Sequence, residues 1–135
     1  MTKTARDLCI ASLSAIKAGD RAGWLALYAD DAVVEDPVGK SPLDPTGKGH
    51  RGKEAIGAFY DNVIAHNKSF DFRIDRSFLC GDEVANLATF TITFPNGETR
   101  EMDLIINYRV NGAGRIASLR AFWEFSQAAL QARRV

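Results

Sequence analysis

Apolar residues recur at helical spacing at the start of the chain and alternate along its second half. Between Thr4 and Ala18, the residues Ala5, Leu8, Cys9, Ser12, Leu13 and Ile16 fall on one stripe. Gly19 stops that helix, and Asp20 is placed to cap a second one over RAGWLALYA. AVVED then reads as extended, because Pro37 keeps Asp36 out of the helical region. Residues 37–52 hold three prolines and four glycines and predict a long loop, a candidate rim or lid. A third helix follows over KEAIGAFYDNVIAH.

In FDFRIDRSF, the residues Phe70, Phe72, Ile74 and Phe78 alternate with polar ones. VANLATFTITF and TREMDLIINYRV are joined by PNGE, a hairpin signal, and NGAG leads to a last strand in RIASLRAFWEF. The final SQAALQARRV suggests a frayed helix or a tail. Three helices followed by a strand meander predict an α+β fold, a single domain over 1–135 with a curved antiparallel sheet wrapped over the helices. Such a sheet has a free face. Ile105 and Leu119 or their neighbours are expected there, which favours a homodimer.

Composition narrows the function classes. The chain has 135 residues, 46% of them hydrophobic, with 17 Lys+Arg against 17 Asp+Glu. A zero formal charge gives no electrostatic reason to expect nucleic acid or an anionic membrane as partner. Two cysteines, Cys9 and Cys80, form no disulfide framework and point to a reducing compartment, so a cytoplasmic location is expected. His50 and His66 are not at ligand spacing, and no metal or cofactor is expected. His50 reads as a solvated loop residue.

The chemistry concentrates in VVEDPVGK at 33–40. Strand alternation puts Val34 and Asp36 on one face and Val33 and Glu35 on the other. Each face carries a valine, so pattern alone does not say which carboxylate points inward. Asp36 before Pro37 is also an ordinary turn residue.

GDRAGWLALYADDAVVEDPVGK, GKEAIGAFY and YRVNGAGRIASLRAFWEF together resemble the ketosteroid isomerases and their SnoaL-like relatives in the NTF2-like superfamily. The likeness runs from about residue 8 to residue 125 and looks nearest to actinobacterial steroid Δ-isomerase-like proteins. It implies a cone of three helices closed by a bent sheet around an apolar pocket. It also implies that Asp36 is the general base that moves a proton near a carbonyl, with Glu35 its solvated neighbour. A carboxylate at an apolar pocket has its pKa raised by desolvation, which makes it a better base.

The same likeness exposes a departure. Ser12 stands where the isomerases carry an oxyanion-hole Tyr, and Ile106 where they carry a protonated acid. Losing one such donor typically costs about 2.7–4 kcal/mol in the transition state. Isomerisation is therefore expected to be weak. The site residues expected besides Asp36 are Ser12, Phe59, Ile106, Tyr108 and Trp123, around a steroid-like or polyketide-like ligand. Two other readings stay open: a non-catalytic binding protein for such a ligand, and a SnoaL-type polyketide cyclase. Tyr60 and Tyr108 are the phenols that ordinary amphipathic packing would also explain. Asp103, Arg73 and Arg109 have the wrong strand parity for the pocket.

Overall fold

The stripe on the first helix is what the sheet buries. In the computed structural model, which describes residues 3–125 and 133–134, α1 spans Ala5–Ala18. Thr4 and Asp7 form a reciprocal capping box at its start, and Gly19 closes it in the left-handed conformation. Ala5, Leu8, Cys9, Ser12 and Leu13 are all buried. Asp20 caps the short α2, Arg21–Ala26, through the Gly23 amide.

That second helix ends sooner than the sequence suggests. Tyr28 and Ala29 belong to β1, Tyr28–Glu35. The reason is long-range: Tyr28 pairs with Ile116, and the Leu27 carbonyl accepts from the Ile116 amide. The loop predicted over 37–52 is also not bare. His50–Arg51 forms a two-residue strand, β2, paired with Val34 and Val33 of β1, and α3 starts at Gly52 and runs to Asn62. The segment ahead of β2 is anchored by the buried Asp44, which accepts from the Thr46 hydroxyl (2.7 Å) and the Gly49 amide (2.8 Å). Gly49 has φ +89, and a Cβ there would meet Val33 Cγ1 at 2.6 Å, so the close approach of β2 to β1 needs glycine.

A 3-10 turn at Ile64–His66 leads to the meander: β3 Ser69–Cys80, β4 Glu83–Thr93, β5 Thr99–Val110 and β6 Ile116–Phe122. The sheet order is β2-β1-β6-β5-β4-β3, antiparallel except where β1 runs parallel to β6. Arg133–Arg134, β7, pairs with β5. The tail expected over SQAALQARRV otherwise lies outside the described residues.

On β5, Met102, Leu104, Ile106 and Tyr108 are buried, while Asp103, Ile105 and Arg109 are exposed. Arg73 is exposed as well. Two parity expectations fail for identifiable reasons. A bulge between Ile74 and Arg76 turns the end of β3 over, so Phe78 is 57% exposed beneath the Arg76 guanidinium rather than sharing the face of Phe72. Leu119 is buried, because it pairs with Tyr108 and Val34 on the inward face. The free face carries Ile105 instead, with Leu87 and Phe122 directly beside it across the strands. No helix among the described residues is long and apolar enough to cross a membrane.

Candidate functional site

The inward rows of β3, β4 and β5 form one wall of a cavity of about 430 Å³. Leu104 stands in the innermost row, Met102, Phe90 and Phe72 in the next, and Arg100, Ile92 and Phe70 in the outermost. Phe72 and Phe90 meet edge to face, with ring centroids 4.6 Å apart. Ile16 of α1, Phe59 of α3, Val63, Ile64 and Leu43 add to the apolar lining, as do Phe94 and Phe125. Its charged or amide side chains are Asp36, Asn67 and Arg100.

Asp36 reaches the cavity because β1 ends one residue before it and the backbone then turns. The Val38 amide donates to the Ala121 carbonyl (3.0 Å), tying the turn to β6. Trp123 follows β6 directly, one position past the Ile105–Phe122 pair, and so stands opposite Leu104. Its Nε1 donates to Asp36 Oδ1 at 2.6 Å. Asp36 is half-buried, bordering the cavity with protein packed deeply behind it. Burial raises its carboxyl pKa above the ordinary 3.8, and the Trp123 hydrogen bond and the charge of His50 oppose this without cancelling it. Glu35 takes the other side of the sheet. It pairs with Arg120 at 2.5 Å, an ion pair on the outer face rather than a simply solvated side chain.

Of the remaining expected site residues, Phe59 and Trp123 line the cavity. Ser12, Ile106 and Tyr108 are buried and lie outside its lining. Ser12 does not bond back to its own helix; its Oγ accepts from both Trp24 Nε1 and the Tyr108 hydroxyl, each at 3.0 Å. The Tyr28 hydroxyl is buried in the same cluster. Ser12 and Trp24 lie near it without either completing a hydrogen bond to it. Burial pushes both tyrosine hydroxyls up; Tyr28 adds to the rise of Tyr108, and the nearby Ser12 opposes it in each. Tyr60 is buried against Trp24, with centroids 5.3 Å apart.

His50 is not a solvated loop residue. Its register opposite Val34 puts it on the face of Asp36, its ring packs on Phe59 at 4.7 Å, and its Nε2 is buried with no hydrogen-bond partner among the described residues. The sequence hid this because β2 is only two residues long. Leu43 and Arg100 also escaped sequence reasoning; alternation from Leu104 and Met102 carries a signal for Arg100, and nothing in the loop flags Leu43. Among the described residues, no group of three or more His, Cys, Asp or Glu side chains is placed to hold a metal ion.

The arrangement offers one proton acceptor at the wall of an apolar cavity, which suits a flat hydrophobic molecule. Comparisons with known proteins agree with this geometry. A steroid Δ-isomerase of Nocardioides simplex is 33% identical over 114 residues, covering 82% of each chain. A Δ5-3-ketosteroid isomerase from Mycobacterium sp. superposes with a TM-score of 0.85 at 36% identity, covering 97% of this chain and 98% of its own. A Mycobacterium tuberculosis protein solved with estradiol-17β-hemisuccinate gives 0.84 at 39% identity, covering 96% and 97%. The SnoaL-like domain model matches residues 10–119, and the chain belongs to the SnoaL-like family of the NTF2-like superfamily.

Proposed function

We propose that the chain is a single-domain ketosteroid isomerase-like protein. It binds a steroid-like carbonyl compound in the cavity, and Asp36 moves a proton from one carbon to another, as in Δ5–Δ4 isomerisation. The observation that carries this reading is a carboxylate of raised proton affinity at the wall of a largely apolar cavity. Trp123 holds one of its oxygens, which leaves Oδ2 to take the proton. The relatives named above are steroid isomerases or bind steroid derivatives, which supports the substrate class. Turnover is expected to be slow. Ser12 and Ile106 supply no donor to the cavity, and an enolate oxygen formed at its Asp36 end would find no free donor side chain beside it among the described residues.

A second reading is a non-catalytic binding protein for the same ligands. It is favoured by the predominantly apolar character of the cavity wall and by the 37% identity to a designed 17-OHP binder. A SnoaL-type polyketide cyclase is the remaining alternative, supported by the family match alone. The reading includes a homodimer through the exposed row Leu87, Ile105 and Phe122, and a cytoplasmic location, consistent with unpaired Cys9 and Cys80.

The test is an absorbance assay with 5-androstene-3,17-dione beside a binding titration with a steroid phenol. Slow turnover that disappears in Asp36→Asn, with binding kept, supports the isomerase. Binding without any turnover in the wild type supports the binding protein. No binding at all refutes both.

A further inference from the structure

The cavity is chemically two-ended. At one end Asp36 and Trp123 sit opposite Leu104. Arg100 lies four residues further along β5, on the same inward face. At about 3.3 Å per residue, the two ends are about 13 Å apart. Asn67 belongs to the Arg100 end as well: the next residue, Lys68, donates its amide to the Thr93 carbonyl, just beyond the Ile92–Arg100 pair. Between the two ends the lining is aromatic and aliphatic.

An arginine on the wall of an apolar cavity is costly unless it has an anion to meet. The Arg100 side chain is 28% exposed, and its guanidinium reaches Glu98 through Nη2 at 3.2 Å. Glu98 is 41% exposed, in the turn between β4 and β5. A pair of that kind contributes about 0–1 kcal/mol and yields readily to a better-placed partner. The guanidinium is a planar fork with five donors, matched to a carboxylate. A neutral ligand would leave the cation on an apolar wall with Glu98 as its one ion-pair partner among the described residues.

We infer that the natural ligand is an elongated, apolar carbonyl compound with a carboxylate at its far end, seated so that Arg100 takes the carboxylate while the carbonyl end faces Asp36. This rests on the proposed steroid-like reading and adds to it an acidic substrate class and a binding direction. The direction also follows from charge: a ligand carboxylate is attracted by Arg100 and repelled by Asp36, so the reversed pose is disfavoured.

The experiment compares 3-oxo-4-androstene-17β-carboxylic acid with its methyl ester by isothermal titration calorimetry at low salt. The acid is expected to bind about tenfold more tightly than the ester, the scale of one charge-assisted hydrogen-bonded contact. Arg100→Gln should erase that preference, acid and ester then binding within about twofold of each other, with a cooperative thermal melt reporting an intact fold. Arg100→Lys should keep part of the preference, and Glu98→Gln should strengthen acid binding. If the ester binds as well as the acid, or if the preference survives Arg100→Gln, the inference is overturned and the steroid-like reading stands. If neither compound binds the wild type, the steroid-like reading falls and takes the inference with it.

Discussion

The buried hydroxyl cluster beside the cavity makes opposite predictions for two chemically identical substitutions. Tyr108→Phe removes a donor bonded to Ser12 Oγ at 3.0 Å. Ser12 keeps its bond from Trp24 Nε1, so nothing new is left unpaired and the cost is about 1 kcal/mol, the net value of one hydrogen bond. Tyr28→Phe removes a hydroxyl that is fully buried and has no hydrogen-bond partner among the described residues. An unpaired buried hydroxyl costs about 1–3 kcal/mol, so its removal should stabilise by about 1 kcal/mol while the ring keeps its packing on Trp24 at 4.8 Å. Ser12→Ala orphans two buried donors together and should cost about 2–5 kcal/mol. Urea unfolding at pH 7 with unchanged m-values reads all three. In a chain of this length, 1 kcal/mol corresponds to about 3–5 °C in Tm. The expected order of stability is Tyr28→Phe, wild type, Tyr108→Phe, Ser12→Ala. The reasoning fails if Tyr28→Phe destabilises as much as Tyr108→Phe, which would mean that the Tyr28 hydroxyl has a partner, or if Ser12→Ala is no worse than Tyr108→Phe.

Asp36→Asn should be more stable than wild type at neutral pH. The native carboxyl pKa lies above its ordinary value, so its stabilising contribution is present below about pH 3.8 and is lost as pH rises through the native pKa; a Tm series from pH 3.5 to 8 should show the variant's advantage appearing only on the alkaline side. Gly49→Ala should cost about 1–3 kcal/mol, because φ is +89 and the new Cβ meets Val33 and Glu35; Gly81→Ala, at φ +59 with open space around it, should cost less in the same thermal melt. Ile105→Lys should convert the proposed dimer to monomer in sedimentation velocity, since it puts a charge in the middle of the exposed Leu87–Ile105–Phe122 row; a wild-type monomer at micromolar concentration would refute the interface itself.

Local signals carried most of the architecture. The α1 stripe, the Gly19 stop, the Asp20 cap and the full extent of β5 follow from spacing and cap chemistry within a few residues of each position. What spacing missed depends on partners distant in the chain. Tyr28 is a strand residue because of Ile116, and His50 faces inward because of Val34. The bulge at Ile74/Arg76 inverts Phe78 without any glycine or proline to announce it. At the site, alternation left Asp36 and Glu35 undecided, and family likeness separated them. The structure supplies the physical difference: Trp123 meets Asp36 on one side of the sheet, and Arg120 meets Glu35 on the other.

The same geometry bounds what Asp36 can do. With no donor, a carboxylate in an apolar wall would stay protonated and could not act as a base. With several donors, it would be too weak a base to take a proton from carbon. Trp123 gives one donor to Oδ1, and Oδ2 makes no hydrogen bond among the described residues. The charge of His50 adds a second, weaker stabilisation from behind the wall. On the proposed reading, that balance lets Asp36 accept a proton and then return it. The hydroxyls able to stabilise the complementary charge belong to Ser12, Tyr28 and Tyr108, and all three lie outside the cavity lining. On the proposed reading, the protein keeps the acceptor in contact with the ligand and holds the donors behind the wall. Ligand affinity is then retained, and the barrier to turnover is set by an oxygen charge that nothing meets. A variant that puts a donor into the lining opposite Trp123, such as Leu104→Asn, should therefore raise kcat relative to ligand affinity. If it lowers both together, the missing donors are not what limits the rate.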